Sequence, residues 1–315
     1  MKRPSNPIEI LVHSTVRIEC LKDSKSFSSG TGYLFGFLEQ ESGESCPCIV
    51  TNKHVLEGSE DAIFHLTRQD DNGDPDLGNY DAIGIKEVKN YVIYHPDKNI
   101  DLAVIPIGMI LNSAEASGKR YAFTYLNKDF IISDELLGEL SPMEDIIMIG
   151  YPNGLWDTVH NLPIIRKGVT ATDPKLNLNG KSEFLIDAAV YPGSSGSPVL
   201  LANIGRYIDK HGNICIGNRI ALLGTVYLAH QSSVKTISNV KDEENRVIGM
   251  FPNNLGYVIK ASELLAFDDA ISDFIEKHRD AKGLWDKSDN APQSRNSPCH
   301  CGSGKRYKEC HGKLN

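Results

Sequence analysis

Between about residues 9 and 260 the chain is written as short apolar runs cut by turns. The runs are TGYLFGFL (31–38), CIVTNKHV (48–55), DLAVIPI (101–107), DIIMIGYP (145–152), PIIRKGVTA (163–171), FLIDAAV (184–190), SPVLL (197–201), IALLGTVYLA (220–229) and LGYVIKA (255–261). Several alternate or are rich in Val and Ile, and turn formers such as DNGD (71–74) and HGN (211–213) lie between them. Segments this short bury their side chains only by pairing with neighbours, so the pattern predicts an all-β fold of barrels or sandwiches. The 315 residues suffice for two compact units.

The stretch from roughly 110 to 140 is more polar and is expected to bridge two barrels, at roughly 9–110 and 140–260. Residues 229–254 read as a long polar loop, a solvated excursion. The period then changes. In SELLAFDDAISDFIEKHRD, Leu264, Leu265, Phe267, Ile271, Phe274 and Ile275 line one helical face, which predicts a helix over 262–281 with Ser262 as its N-cap. A polar linker follows over 282–297.

Hydrophobic content of 40% and charged content of 23% suit a soluble globular protein. A net charge of -8 gives no general attraction to DNA or to anionic membrane. MKRPSNPIEILVHSTVRIEC lacks the apolar run of a signal peptide and no stretch approaches a membrane span, so a cytoplasmic location is expected. Of seven cysteines, Cys20, Cys46, Cys48 and Cys215 are scattered, whereas Cys299, Cys301 and Cys310 crowd together. That arrangement argues for metal rather than a disulfide framework. Cys46-Pro-Cys48 has no second pair at metal spacing and reads as structural.

DAAVYPGSSGSPVL (187–200) carries the first candidate chemistry. A serine hydroxyl is a poor nucleophile until a base takes its proton, and acyl transfer needs N–H groups aimed at the developing oxyanion. A tight turn can present Ser195 to both, with Gly193 turning its N–H inward beside that of Ser195 and Gly196 leaving room behind. Pro192 and Pro198 stiffen the flanks. His54 follows an apolar strand and is the candidate base. Asp101 heads another apolar run and is the candidate orienting carboxylate, with Asp97 as its competitor. His95 and His160 read as structural or surface groups.

SSGTGYLF, IVTNKHV, DLAVIPI, IGYPNGL, DAAVYPGSSGSPV and LGYVIKASELL resemble the trypsin/chymotrypsin-like serine peptidases, above all the bacterial HtrA/Deg branch, over roughly residues 10–265. The resemblance implies an all-β double β-barrel with a C-terminal helix. His54 would be general base, Asp101 orienter and Ser195 nucleophile, with the oxyanion hole at the N–H groups of Gly193 and Ser195. It puts the floor of the primary pocket at Ala189 and its wall at Gly224, Thr225 and Val226. No carboxylate sits at Ala189, so cleavage after small or medium apolar residues is expected, not after Arg or Lys. Catalysis would need no cofactor. Two positions depart from the pattern. Ser197 stands where many relatives have glycine. Ser194 stands where secreted digestive relatives carry the aspartate that pairs with a newly cut N-terminus, so activation by clipping is not expected.

SPCHCGSGKRYKECHG resembles the SEC-C motif, the zinc-binding tail of the SecA translocase and of other bacterial proteins, over 298–313. Three thiolates and an imidazole, Cys299, Cys301, Cys310 and His311, suit a closed tetrahedral zinc site. The resemblance implies a small structural zinc knuckle that docks a protein partner or a ribosome. Together these features predict a serine endopeptidase acting on protein or peptide substrates. The alternatives are a catalytically silent binding module and a dedicated protease that cuts one partner in a stress or defence response.

Overall fold

A computed structural model describes residues 6–22, 27–41, 44–235 and 248–278. The expected linker and the four candidate zinc ligands, Cys299, Cys301, Cys310 and His311, lie outside the described residues. The first lobe holds β1 (Thr15–Leu21), β2 (Phe27–Phe37), β3 (Cys46–Thr51), β4 (Asp61–Gln69), β5 (Pro75–Ile85), β6 (Ile93–Tyr94) and β7 (Ala103–Pro106). These form one sheet in the order β5-β4-β1-β2-β3-β7-β6. The second lobe holds β8 (Asp145–Gly150), β9 (Ile164–Thr170), β10 (Glu183–Asp187), β11 (Pro198–Asn203), a small hairpin of β12 (Arg206–Ile208) and β13 (Ile214–Ile216), then β14 (Arg219–Lys235) and β15 (Ile248–Lys260). Six of these close a barrel in the order β10-β15-β14-β11-β8-β9. The fold is thus mostly strands in two lobes. Closure is complete in the second, while in the first β5 and β6 are the end strands.

Several strands are apolar on both faces because each face meets a different core. On β2, Leu34 points into the first lobe, whereas Tyr33, Phe35 and Phe37 pack into a seam between the lobes. On β3, Ile49 goes inward and Cys48 and Val50 go to the seam. From the other side, Ile147, Ile149 and Leu200 enter the same seam, while Ile146, Met148, Val199 and Leu201 fill the second barrel. Period-two alternation between two buried faces gives continuous apolar runs, as the sequence shows. The seam is also bridged by a buried hydrogen bond between Tyr33 Oη and Thr225 Oγ1, at 2.9 Å.

Two sequence expectations change. The polar stretch 229–254 is paired strand at both ends: β14 runs to Lys235 and β15 starts at Ile248, and residues between them lie outside the described set. Pairing satisfies backbone donors and acceptors whatever the side chains, so polarity alone misleads. The C-terminal helix spans Asp268–His278 rather than starting at Ser262, and Ala261–Phe267 winds as a 3₁₀ turn. Leu264 and Phe267 are both fully buried three residues apart, the spacing of that tighter turn. Asp268 and Asp269 then supply the negative charge that favours an α-helix start. The bridging stretch contains helices over Gly108–Ala116 and Asp134–Glu139, the second capped by Ser133.

The four described cysteines are free. Cys46 and Cys48 share one face of β3 with sulfurs 3.9 Å apart. Burial pushes the Cys48 thiol up, and the hydrogen bond from Cys48 pulls Cys46 down. No helix among the described residues is long and apolar enough to cross a membrane.

Phe267 docks the C-terminal segment on the seam, its ring 6.0 Å from Phe37 and 5.3 Å from His95. Phe267→Ala is expected to cost about 3–5 kcal/mol of stability, read as a lower midpoint in urea unfolding.

Candidate active site

β3 ends at Thr51, and a short helix over Lys53–Leu56 carries His54 in its first turn. Val55 anchors that turn. It lies so close to Gly30 that a Cβ there would meet Val55 Cγ1 at 2.6 Å. Asp101 precedes β7, held by Asn52 Nδ2 donating to its carbonyl at 2.7 Å. Its carboxylate takes the backbone N–H of His54 on Oδ1 at 3.1 Å and lies 2.5 Å from His54 Nδ1 through Oδ2. An ionised carboxylate only accepts, so Nδ1 carries the proton and Nε2 keeps its lone pair.

Asp97 is the wrong carboxylate for this. Its Oδ1 caps its own turn, accepting from the N–H and side chain of Asn99 at 2.8 and 3.0 Å, and its carbonyl takes Lys53 Nζ at 3.1 Å. Burial lowers the Lys53 pKa, with the charges of Asp101 and Asp97 opposing. His95 is buried. Its Nδ1 accepts from Asp97 N at 3.1 Å, which leaves Nε2 to donate to the carbonyl of Glu263 at 3.1 Å and ties the C-terminal segment to the Asp101 loop. His160 is an exposed partner of Asp157, at 2.8 Å.

Ser195 sits on the loop between β10 and β11. The loop braces itself: Ser194 N donates to Tyr191 O at 2.9 Å, Tyr191 N to Ser194 Oγ at 3.3 Å, and Ser197 N to Ser194 O at 3.0 Å. Gly196 N reaches Val226 O at 2.8 Å on β14. The carbonyl of Pro192 accepts from Asn153 N at 2.5 Å. Gly193 (φ +87) and Gly196 (φ +87) take the left-handed conformations that glycine alone adopts readily. A Cβ on Gly196 would overlap the Thr31 carbonyl and sit 2.6 Å from Thr51 Oγ1, so the loop abuts the end of β3, three residues before His54. Among the described residues the N–H groups of Gly193 and Ser195 donate to nothing. Ser195 Oγ donates to the carbonyl of Tyr227 at 3.3 Å and makes no hydrogen bond to His54.

The residues expected at the pocket wall lie on β14. Val226 is in the core of the second barrel, and Thr225 is buried and bonded to Tyr33. A Cβ on Gly224 would overlap the carbonyl of Ile259. These positions build the barrel wall. Beside Ser195 lie Tyr227 and then Leu228, which is 50% exposed. The register of β14 against β15 slips between Val226 and Leu228, a bulge that turns Tyr227 out of alternation. Burial and the neighbouring Glu183, 2.5 Å away, push the Tyr227 phenol up. Ala189 is half-buried. Its neighbour Val190 packs against Gly256, where a Cβ would meet Val190 Cγ2 at 2.6 Å. Thr31, Thr51, Asn52, Asn153 and Tyr227 all shape the site without having been singled out in the sequence. Asn52 and Thr51 were within reach, lying in the same TNKH stretch as His54.

The family model for the trypsin-like peptidase domain matches residues 30–208, more than half of the chain, and that for the SEC-C motif matches residues 295–313. Over 26 residues the chain is 69% identical to the protein translocase subunit SecA of Nitrosomonas europaea, a match covering 8% of this chain and 3% of SecA. Among solved structures it is similar in fold to the Rv3671c protease from M. tuberculosis in its active form, at 18% identity over 82% of each chain and a TM-score of 0.40. The serine endoprotease from Yersinia pestis aligns at 15% identity over 89% of this chain and 70% of that one, with a TM-score of 0.42. The HtrA-type protease AlgW with tripeptide aligns at 16% over 86% and 63%, with a TM-score of 0.41.

Since a methyl at residue 196 overlaps a carbonyl and must also take positive φ, Gly196→Ala is expected to destabilise the chain by about 2–3 kcal/mol. A urea titration followed by tryptophan fluorescence checks this.

Proposed function

The chain belongs to the trypsin-like peptidase family and is a serine endopeptidase, and on that premise we propose that His54, Asp101 and Ser195 cut peptide bonds through an acyl-enzyme. Ser195 Oγ leaves the Tyr227 carbonyl, gives its proton to His54 Nε2 and attacks the scissile carbonyl. Asp101 keeps the imidazole in the working tautomer and stabilises the imidazolium. The unengaged N–H groups of Gly193 and Ser195 receive the oxyanion. His54 then protonates the leaving amine, and water releases the product by the same steps in reverse. The observation that carries this reading is the 2.5 Å approach of Asp101 Oδ2 to His54 Nδ1. Ser194 bonds within its own loop, which supports an enzyme that works without N-terminal clipping.

The primary site takes small or medium apolar side chains. Ala189, the expected pocket floor, brings no charge to pair with Arg or Lys. A peptide library should be cut mainly after residues such as Ala and Val; cleavage chiefly after Arg or Lys would refute this. Labelling by a fluorophosphonate probe should be lost in Ser195→Ala, and His54→Ala should lower kcat by roughly 10⁴–10⁶-fold. An unlabelled, inert wild type would favour the binding-module alternative, and cleavage of casein would argue against a protease dedicated to one partner.

The SEC-C match supports a structural zinc held by Cys299, Cys301, Cys310 and His311, whose donor set of three thiolates and one imidazole fits the ion. Bound zinc would supply folding energy to the segment and take no part in hydrolysis. We read this tail as a dock for a protein partner or a ribosome, in a cytoplasmic enzyme. Metal analysis of the full chain should find one zinc per chain, lost in Cys301→Ser and Cys310→Ser, with peptide hydrolysis at the wild-type rate.

A further inference from the structure

We propose that the hydroxyl of Thr31 is the positioning group that sets the oxyanion hole; the proposal rests on the peptidase reading above. Thr31 is fully buried on β2, in the lobe opposite the nucleophile loop. Every polar atom it owns is engaged. Its N–H donates to Ser195 O at 2.9 Å, and its carbonyl accepts from Thr51 Oγ1 at 2.7 Å. Its Oγ1 donates to Gly193 O at 2.8 Å and accepts from Tyr151 N at 3.0 Å.

Gly193 has no Cβ and is the residue of the loop with the widest conformational choice. Its N–H lies in the peptide plane it shares with the carbonyl of Pro192, and the plane that follows carries its own carbonyl. The plane before it is held through Pro192 O, which accepts from Asn153 N at 2.5 Å. The plane after it is held through Gly193 O, whose only donor among the described residues is Thr31 Oγ1. The same hydroxyl takes the N–H of Tyr151, two residues before Asn153, so one oxygen ties both clamps together. Ser195, the second N–H of the hole, is held by the backbone of the same residue.

Removing the hydroxyl would leave a buried carbonyl on Gly193 and a buried N–H on Tyr151 facing each other's lost partner. The turn that carries Asn153 then loses its anchor at Tyr151, so the clamp on the carbonyl of Pro192 loosens and the plane that holds the Gly193 N–H is free to turn off the oxyanion. Thr31 touches no substrate. Its effect is confined to the state in which negative charge sits on the oxygen, and ground-state binding is left alone.

The test uses the full chain with Thr31→Val, which keeps the shape and loses the hydroxyl, and Thr31→Ser, which keeps the hydroxyl. The substrate is a peptide p-nitroanilide ending in Ala. The probe is the matching peptide boronic acid, whose tetrahedral adduct places an oxygen in the hole. Thr31→Val should lower kcat roughly 10–100-fold with KM within about twofold, and boronate affinity should fall by the same factor as kcat. Thr31→Ser should recover to within about threefold of wild type. Wild-type kcat and boronate affinity in Thr31→Val would overturn the proposal, as would Thr31→Ser being as impaired as Thr31→Val, since packing of the methyl would then be the cause. Should the valine variant fail to fold, Thr31→Ala makes the same deletion and is read in the same way. If wild type itself neither hydrolyses peptides nor takes a fluorophosphonate on Ser195, the peptidase reading falls and this proposal with it. A labelled, active wild type beside an equally active valine variant sinks the role of Thr31 alone.

Discussion

His54 and Asp101 come from one lobe and Ser195 from the other, so the joint action proposed for them depends on the seam between the lobes. That seam is a packed apolar core, with Tyr33, Phe35 and Phe37 of β2 set against Ile147, Ile149 and Leu200 of the barrel. Close packing of this kind does not slide, because a small shift opens voids or forces overlaps. Glycines let the two sides approach at the site end of the seam: Gly196 lies against the Thr31 carbonyl and Gly193 against Tyr151. Hydrogen bonds then add direction to what packing makes rigid, from Thr31 to Ser195 and between Tyr33 and Thr225.

The same two-sided burial explains which parts of the fold were legible. Strands that fill two cores are apolar at every position, so their existence is plain in the sequence, while the face each side chain takes is not. The all-β class therefore follows from the runs themselves. The paired ends of the polar stretch 229–254 do not, because backbone pairing leaves no mark on polar side chains. His54 and Ser195 were legible for a different reason. Each sits at an abrupt change of texture, a histidine closing an apolar run and a serine flanked by glycines and prolines. Asp97 and Asp101 look alike in sequence. What separates them is Asn52, whose amide holds the Asp101 backbone beside the imidazole, and the short turn in which Asp97 uses up its own carboxylate.

The resemblance puts the pocket wall at Gly224, Thr225 and Val226, and the strand changes character directly after them. The register slip beside Tyr227 adds one residue to β14. Side chains on either side of it no longer alternate in step, and the carbonyl of Tyr227 is left pointing at Ser195 Oγ. A bulge of this type has no residue requirement that would mark it in advance. Thr31 was hidden in another way. Threonine in a strand is ordinary, favoured for its branched shape, and nothing distinguishes one whose hydroxyl is needed from one whose methyl is. Its position in a Gly-Thr-Gly triplet was a signal of close backbone approach, with no hint of what approaches.

The loop around Ser195 meets two opposed demands. It must be rigid, yet it must keep two backbone donors unused, and a buried polar group without a partner is costly. The chain reconciles them by bonding most other backbone groups in the turn. Tyr191, Ser194, Gly196 and Ser197 are bonded through their own N–H groups, and Pro192, Gly193 and Ser195 through their carbonyls. Among the described residues the backbone N–H groups of Gly193 and Ser195 are left over. Because their neighbours are all committed, the loop cannot satisfy these two by a local twist without breaking bonds already made. On the proposed mechanism these two donors would meet the oxygen that acquires charge beside Ser195, and the seam that holds the loop in place would keep them there.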